Sequence, residues 1–301
     1  MTGPARISGR SLLASPHRRS AAGTRRAFRN RLLLWFGVLF FLLLTTFPVY
    51  WMALTALKQN VDLYNVNNFR LWFNAPPTLD HLTYLFTQTE FLTWFANSYI
   101  IAALVVAITL VCALPAGYGL ARLQLRGADT IAIGIFLTYL VPPSLLFLPI
   151  SRVVSLLGLQ DSDWGLVLVY PTLTIPFCTW LIRGFFKTIP KEIEEAAVID
   201  GCTAVQVVWR IVLPLSRAGI FSVMIFAFTL SMQDFIYMLT IISSNSLKPL
   251  TLGIVTDLIR GDIFFWGELL AGALLAGLPV AIIYNFFLDD FIAGLTTGAV
   301  K

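Results

Sequence analysis

The stretch EEAAVIDGCTAVQVVWRIVLPL, residues 194–215, is a charged segment between two long apolar runs. The chain around it has 301 residues, of which 57% are hydrophobic and 12% are charged. Soluble domains carry about 25% charged residues, so this composition favours an integral membrane protein. The net charge of +5 comes from the first 31 residues, which hold eight arginines, and the remainder is slightly acidic. We therefore expect no nucleic-acid partner.

Six runs of the sequence are long and apolar enough to cross a bilayer, which takes roughly 20 residues of helix. Helices are favoured over barrel strands because these runs do not alternate polar and apolar residues. The predicted fold is therefore all-α and membrane-integral, with six transmembrane helices. The six runs are residues 32–57, 91–121, 130–151, 164–182, 218–247 and 269–288.

The positions of the basic residues predict the orientation of these helices. Of the 21 Lys and Arg, sixteen fall on one side when the flanks of the runs are counted alternately. Because Lys and Arg concentrate on cytoplasmic flanks, we expect both termini in the cytoplasm. Residues 1–31 then form a basic cytoplasmic tail, which we expect to be disordered and close to anionic lipid. Residues 32–301 form the transmembrane domain.

On this topology the charged stretch lies in the cytoplasm, between the fourth and fifth spans. Pro190 and the acidic residues after it favour a helix over Lys191–Ile199, since proline suits a first turn and negative charge complements the helix dipole. At about 1.5 Å per residue, this helix is too short to cross a bilayer. Asp200-Gly201 is a helix-stop signal, and a second short helix is predicted over residues 204–210. Pro214 marks the start of the fifth span.

Two interpretations fit the chemistry of this stretch. Ala196 and Ala197 have little side-chain bulk, so another surface could approach closely, and the acidic residues beside them offer charge to it. These features indicate a docking element. An amphipathic loop lying on lipid would have a similar composition, and both interpretations stay open on the residues alone.

The spacing within the stretch resembles one known family. Glu195-Ala196-Ala197, Gly201, Ile211 and Leu213-Pro214 match the EAA motif of bacterial ATP-binding-cassette import permeases, a pattern of seven defined positions over 20 residues. Other stretches resemble the carbohydrate branch of that family, the second permease of maltose-type importers. They are FANSYIIA (95–102), AGYGLARLQLRG (116–127), LGLQDSDWGL (157–166), PFCTWLIRGFFKTIPKEIEEAAVIDG (176–201) and GLTTGAVK (294–301). The resemblance covers the chain from about residue 58 onwards.

This resemblance implies a subunit of an ATP-driven sugar importer in the bacterial inner membrane. The implied partners are a second permease subunit, two ATP-binding subunits, an extracytoplasmic sugar-binding protein and membrane lipid. ATP and Mg²⁺ would be held by the ATP-binding subunits, with no cofactor on this chain. The residues implied to couple to the ATPase are Glu194, Glu195, Ala196, Ala197, Asp200, Gly201, Leu213 and Pro214, with a second contact from Thr296, Thr297 and Lys301.

Within this set, the resemblance implies that Glu195 pairs with a basic residue of the ATPase. It also implies that Gly201 forms the bend between the two short helices. Two stretches depart from the family. Residues 288–291, LDDF, stand where Gln with a basic or aromatic residue is common, so the tail contact differs in detail. Residues 232–235, MQDF, stand where WNEF is common, so the aromatic residue is lost.

A possible substrate path is indicated by Asp234, which is the only charged residue between Arg217 and Lys248. A carboxylate inside a span usually faces the bundle interior or a wet cavity. Asp234 and Gln233 could therefore line a sugar path, or they could form a polar contact between helices, which the residues favour slightly. Other candidates that could contact sugar are Tyr237, Tyr139, Tyr170 and Thr174. Pro142-Pro143, Pro149, Pro171 and Pro176 are expected to interrupt the third and fourth spans, next to a cavity or as packing kinks.

The sequence contains no phosphate-binding loop and no hydrolase or zinc-protease motif. His17 and His81 lie far apart and suggest no site, and the three cysteines have no paired spacing. We therefore expect a non-catalytic subunit whose energy comes from another chain. The alternative is a stand-alone secondary transporter in which the acidic loop acts as a gate. Several intramembrane charges and an inverted repeat would favour that alternative.

Overall fold

The computed structural model describes residues 21–65, 71–123 and 125–299, with side chains for residues 29–287 of those ranges. Its contacts divide the chain into two units, with the boundary between Trp51 and Met52. The first helix begins at Ala21, so residues 21–31 of the predicted tail are helical. The prediction of disorder for residues 1–20 falls outside the described residues.

The described residues form helices joined by short connections. The helices are α1 (Ala21–Leu57), α2 (Asn60–Leu63), α3 (Asp80–Gln88), α4 (Phe91–Arg122), α5 (Ala128–Tyr139), α6 (Pro143–Leu156), α7 (Asp163–Thr188), α8 (Lys191–Ile199), α9 (Ala204–Val207), α10 (Leu213–Leu215), α11 (Arg217–Gln233), α12 (Ile236–Ile241), α13 (Leu250–Leu258) and α14 (Trp266–Ala299). A π-helical turn, Val208–Val212, joins α9 to α10, and a 3₁₀ turn covers Asn245–Leu247. Strands β1 (Ile259–Arg260) and β2 (Ile263–Phe264) form an antiparallel pair.

Four of the described helices are long and apolar enough to cross a membrane. They are Arg29–Leu57 of α1, all of α4, all of α7 and Trp266–Phe287 of α14. Two further pairs meet the same criteria together but bend sharply at a short break. The bend is 89° between α5 and α6, and 77° between Ala204–Leu215 and α11. The count is therefore four unbroken spans, or six if each bent pair is one span.

The third predicted run is broken where the sequence indicated, because α5 ends at Tyr139 and α6 begins at Pro143. A residue before proline is disfavoured in the helical region, and Pro142 adopts an extended ψ of 126°. By contrast, Pro149 lies inside α6, and Pro171 and Pro176 lie inside α7. The expected break in the helix is absent at these three prolines, and the alternative of a packing kink stays a prediction. A proline removes one backbone hydrogen bond, and packing of neighbouring helices can compensate for it in a membrane bundle.

The fifth predicted run, residues 218–247, is not one helix, because α11 ends at Gln233. Asp234 leaves the helix with an extended backbone (φ −65°, ψ 144°). Its carboxylate accepts a hydrogen bond from the Tyr237 N–H at 3.1 Å. Asp side chains favour helix starts because they satisfy such free N–H groups, so Asp234 ends α11 and supports the start of α12.

The core of the second unit is built on α4 and α7. Three clusters of buried side chains follow one another along α4. The first contains Trp94, the second contains Ile101 and the third contains Ala113. Close approach of the two helices depends on Gly117, where an added Cβ would lie 2.5 Å from the Ile182 Cγ2 atom. The third cluster also contains Ala197 and Val207, so it carries the core into the segment that the sequence singled out.

A buried polar contact, which the sequence did not indicate, links α3 to α14. The Nδ1 atom of His81 lies 3.0 Å from a carboxylate oxygen of Glu268, with side-chain exposures of only 2% and 8%. The Nε2 atom lies 2.7 Å from the Lys58 carbonyl oxygen. Both ring nitrogens face acceptors, which suits the doubly protonated ring. The hydrogen bond to Glu268 raises the pKa of His81 above its usual value, and Asp80 contributes in the same direction.

This contact predicts a loss of stability at high pH. Because the pKa of His81 is raised in the folded state, its stabilisation is fully present below the unfolded value of 6.5. It is lost as pH rises through the folded-state pKa. We expect the thermal unfolding temperature of the detergent-purified protein to fall over that interval in wild type, and to change much less in His81→Ala.

Below pH 6.5 but well above the range in which carboxylates become protonated, His81→Ala leaves the Glu268 carboxylate without its partner and should cost about 3–5 kcal/mol, the range for removing one member of a buried pair. The control is His17→Ala, at the only other histidine of the chain. Equal pH profiles for wild type and His81→Ala would contradict the assignment.

Candidate functional site

The candidate site is the connecting segment, residues 191–215, between α7 and α11. It begins with α8, whose predicted bounds, Lys191–Ile199, are confirmed. Pro190 occupies the N-cap position, and Glu192 and Glu194 lie in the first turn. Negative charge near the free N–H groups of a helix start is stabilising, so the local sequence favours a helix beginning here.

The end of α8 is set by Gly201. This residue has a φ of +91°, in the left-handed region that glycine adopts without strain. The Cys202 N–H donates to the Ala197 carbonyl at 2.9 Å, and the Gly201 N–H donates to the Val198 carbonyl at 3.0 Å. These two bonds form a Schellman motif, which closes the helix and reverses the chain. Gly201 therefore forms the bend that the motif predicts between two short helices.

The second short helix begins with a capping box that the sequence analysis missed. The Thr203 hydroxyl accepts the Gln206 N–H at 3.4 Å, and the Gln206 side-chain oxygen accepts the Thr203 N–H at 2.9 Å. The pattern Thr-x-x-Gln is the sequence signal for this arrangement.

The helical path then runs to Leu215 rather than ending at residue 210. Pro214, expected to mark the start of the fifth span, lies within α10, directly before α11 begins at Arg217. Proline cannot donate a backbone hydrogen bond, and the π turn just before it accommodates that loss. The chain bends by 77° after Leu215, so α11 begins at Arg217.

One face of α8 is fixed to the transmembrane helices. Ala197 is buried in the cluster that includes Ile182 and Phe186 of α7. Glu194 accepts a hydrogen bond from the Arg122 Nε at 2.6 Å and from the Tyr118 hydroxyl at 3.1 Å. Both donors belong to α4. Glu194 is one of the coupling residues that the resemblance implies, whereas its two partners carry no local sequence signal because they lie more than 70 residues away along the chain.

The other face of α8 is exposed. Glu195 and Ala196 are exposed, and within the described ranges Glu195 has no hydrogen bond or ion pair. Asp200 is exposed at the same end as Ile199, whose exposed fraction is 86%. Further exposed apolar side chains of the segment are Val198, Val205 and Trp209. Exposed apolar side chains beside small residues and an acidic group mark a surface that contacts another protein or a membrane.

A second candidate region is a cavity of about 1080 Å³ beside two breaks in the helices, the one between α5 and α6 and the one between α11 and α12. Its walls come from the α5–α6 break, from α7 and from the end of α11, and they are mainly apolar. Of the predicted path residues, Tyr139, Gln233 and Asp234 line it. Thr172 is a further hydroxyl in the wall. An apolar cavity with a few polar groups suits a small organic ligand.

The remaining predicted path residues are buried and do not line this cavity. Tyr170 and Tyr237 are fully buried, and the Tyr170 hydroxyl donates to the Asp234 carboxylate at 3.1 Å. The Tyr237 hydroxyl donates to the Pro143 carbonyl at 3.0 Å. Thr174 is also buried and is hydrogen-bonded to Thr109 of α4 at 2.6 Å. Asp234 therefore forms the polar contact between helices and also borders the cavity.

The predicted C-terminal contact is described only in part. Thr296 and Thr297 lie in the last turns of α14, with backbone but no described side chain. Lys301 lies outside the described residues.

The chain matches known proteins over most of its length. Residues 113–295 match the family described as "Binding-protein-dependent transport system inner membrane component". The chain is 33% identical over 256 residues to the sulfoquinovosyl glycerol transport system permease protein SmoH of Agrobacterium fabrum, covering 85% of this chain and 88% of that protein. It is 29% identical over 283 residues to the inner membrane ABC transporter permease protein YcjP of Escherichia coli, covering 92% and 99%.

The fold is also found in a solved structure, that of a bacterial ABC transporter involved in the import of the acidic polysaccharide alginate. The TM-score is 0.73 at 18% sequence identity, covering 91% of this chain and 99% of that chain. Together, the helices and these matches define a membrane-embedded transport subunit. The chain belongs to the family of inner membrane components of binding-protein-dependent transport systems. The resemblance to ATP-binding-cassette permeases and the inner-membrane location are confirmed.

The Schellman motif predicts the effect of Gly201→Ala. Nothing lies within 4 Å of an added Cβ, so the cost is backbone strain alone, about 1–2 kcal/mol for a left-handed alanine. We expect faster amide hydrogen exchange across residues 191–215. Gly184→Ala in α7 is the matched control, because that site is also open but has no positive φ. Equal exchange rates in the two variants would show that the left-handed conformation of Gly201 does not stabilise residues 191–215.

Proposed function

We propose that this chain is one of two permease subunits of an ATP-driven importer of a sugar or sugar derivative. The single observation that carries the proposal is how the connecting segment of this family member is arranged. Glu194 and Ala197 contact the neighbouring helices, whereas Glu195 and Ala196 are exposed on the opposite face of α8. This arrangement offers a docking surface that carries the exposed carboxylate of Glu195.

In the proposed assembly, both termini and the connecting segment lie in the cytoplasm. The six spans would then be the four unbroken helices, the bent α5–α6 pair and α11, which follows the connecting segment. The excess of Lys and Arg on that side supports the orientation. Each permease subunit would receive one ATP-binding subunit. Glu195 would pair with a basic residue of that subunit, and the bend at Gly201 would let the α8 surface and the following helix contact it together. Thr296, Thr297 and Lys301 would add a second contact from the C-terminus.

ATP and Mg²⁺ would bind to the ATP-binding subunits, and this chain would be non-catalytic. Closure of those subunits would move the connecting segment and switch the spans between outward and inward access. A solved relative in fold is an alginate transporter in complex with a periplasmic protein that holds an alginate pentasaccharide, which supports an external binding protein as a further partner.

A sugar is the proposed substrate class because several relatives are named for carbohydrates. Besides the sulfoquinovosyl glycerol system, one is the diacetylchitobiose uptake system permease protein DasC of Streptomyces coelicolor, 32% identical over 85% of this chain and 91% of that protein. The cavity supports the same class. Tyr139 offers an aromatic face, and Thr172, Gln233 and Asp234 offer hydrogen-bonding groups to hydroxyls.

The alternative is a stand-alone secondary transporter. Such proteins use several intramembrane ionisable groups to couple ions to substrate. Here Asp234 is the only charged residue between Arg217 and Lys248 and is held by Tyr170 and Tyr237. The match to a family of binding-protein-dependent systems also favours the ATP-driven proposal.

The docking role of Glu195 predicts a specific assembly defect. In Glu195→Lys, an exposed carboxylate becomes an ammonium that would repel a basic partner, so co-purification with the ATP-binding subunit and ATP-driven uptake should both fall by at least about tenfold, the factor for 1.4 kcal/mol. Glu90→Lys is the matched control, since it makes the same change at an exposed residue at the start of α4. Wild-type assembly and uptake in Glu195→Lys would overturn the docking role.

The position of Asp234 predicts that its charge and its hydrogen bonds have separable effects. Asp234→Asn keeps an acceptor for Tyr170 and the Tyr237 N–H, so the protein should stay folded. Asp234→Ala leaves these donors unpaired and should cost about 1–3 kcal/mol in unfolding free energy. If the carboxylate contacts substrate, the apparent affinity for sugar in vesicle uptake should weaken in Asp234→Asn. Unchanged affinity in that variant would limit Asp234 to the helix contact.

A further inference from the structure

Side chains of α4 hold the start of α8 through three hydrogen bonds. The Arg122 Nε donates to one oxygen of Glu194 at 2.6 Å, and the Tyr118 hydroxyl donates to the other at 3.1 Å. The Arg122 Nη2 donates to the Ile189 carbonyl at 2.7 Å, two residues before α8 begins. Tyr118 and Arg122 are four residues apart, on one face of the last turns of α4. One helix end thus holds both the first turn of α8 and the chain leading into it.

The contact is also sheltered from water. The side chains of Arg122 and Glu194 are 8% and 12% exposed. Exposed ion pairs are weak and readily rearranged, whereas a sheltered pair with its hydrogen bonds satisfied resists separation, because removing either partner leaves an unpaired charge. The planar guanidinium fixes two directions at once, which a lysine ammonium does not.

The same helix end is also fixed to α7 and α5. Arg183 of α7 donates from its Nε to the Leu120 carbonyl at 3.2 Å and is also paired with Asp129 of α5. Lys187 reaches the same Asp129 carboxylate at 2.9 Å. The ends of α4, α5 and α7 therefore meet in one network, to which α8 is attached through Glu194. At the other end of the connecting segment, the chain instead bends by 77° between Leu215 and α11.

We propose that Arg122 is a positioning residue that joins α8 to α4 and α7 as one rigid body, so that a displacement of α8 is delivered to these two spans. Without this connection, α8 would follow the ATPase while the short link at Ile189 and Pro190 bent. This inference rests on the proposed function, because it assigns a route for the motion that the ATP-binding subunit would supply. Arg122 would act in passing motion from α8 to the spans and would take no part in docking at Glu195.

The test uses the complete complex, with both permease subunits, two ATP-binding subunits and the binding protein, reconstituted in proteoliposomes. Sugar taken up and ATP hydrolysed are measured together. We expect Arg122→Gln to co-purify with the ATP-binding subunits as wild type does, while sugar transported per ATP falls about tenfold, within the range for mutations that alter coupling between sites. Arg126→Gln is the matched control, since Arg126 is an exposed arginine of the following loop. It should keep the wild-type ratio.

Two more variants separate the contacts of Arg122 from a general failure to assemble. If Arg122→Gln does not assemble, Arg122→Lys keeps the charge beside Glu194 but cannot hold the Ile189 carbonyl at the same time, so its ratio should still fall. The exchanged pair, Arg122→Glu with Glu194→Arg, should recover part of the ratio lost in Arg122→Gln. A wild-type ratio in an assembled Arg122→Gln or Arg122→Lys complex overturns the inference. If the wild-type complex itself takes up sugar without ATP, the proposed function fails instead.

Discussion

Glu194 and Arg122 form a sheltered ion pair, and the arrangement of the connecting segment depends on it. A nine-residue helix is marginal on its own, so α8 needs tertiary contacts to exist and to adopt one orientation. With Glu194 and Ala197 turned toward the core, successive residues at about 100° per residue place Glu195 and Ala196 toward solvent. The two neighbouring glutamates therefore differ in their surroundings, because Glu194 anchors the helix and Glu195 is exposed on its surface.

The bilayer imposes a second constraint, which explains where the chain breaks. Backbone in the hydrocarbon region must satisfy its own hydrogen bonds unless it borders a cavity or other protein. Two breaks within predicted apolar runs, at residues 140–142 and at Asp234, border the same cavity of about 1080 Å³. Asp234 supplies the missing acceptor for the free N–H of Tyr237. The irregular backbone thus lies where polar groups from two parts of the chain meet.

Much of this arrangement could be predicted from local sequence. The bounds of α8, the bend at Gly201 and the break at Pro142-Pro143 follow from proline, glycine and charge signals that act within a few residues. The contacts of Arg122 and His81 could not be predicted in this way. Their carboxylate partners lie far along the chain, and only the packed helices bring them together. Pro171 and Pro176 show the converse, because packing keeps α7 continuous through two residues that locally disfavour it.

In the function proposed for this chain, ATP acts at the face that carries the connecting segment and drives accumulation of a sugar. The most direct measurement is uptake by proteoliposomes holding the complete complex, with ATP enclosed on that face and the loaded binding protein on the other. We expect accumulation against a sugar gradient that requires ATP hydrolysis and continues when proton and sodium gradients are abolished. Accumulation without ATP that collapses with an ion gradient would contradict it and would favour a secondary transporter.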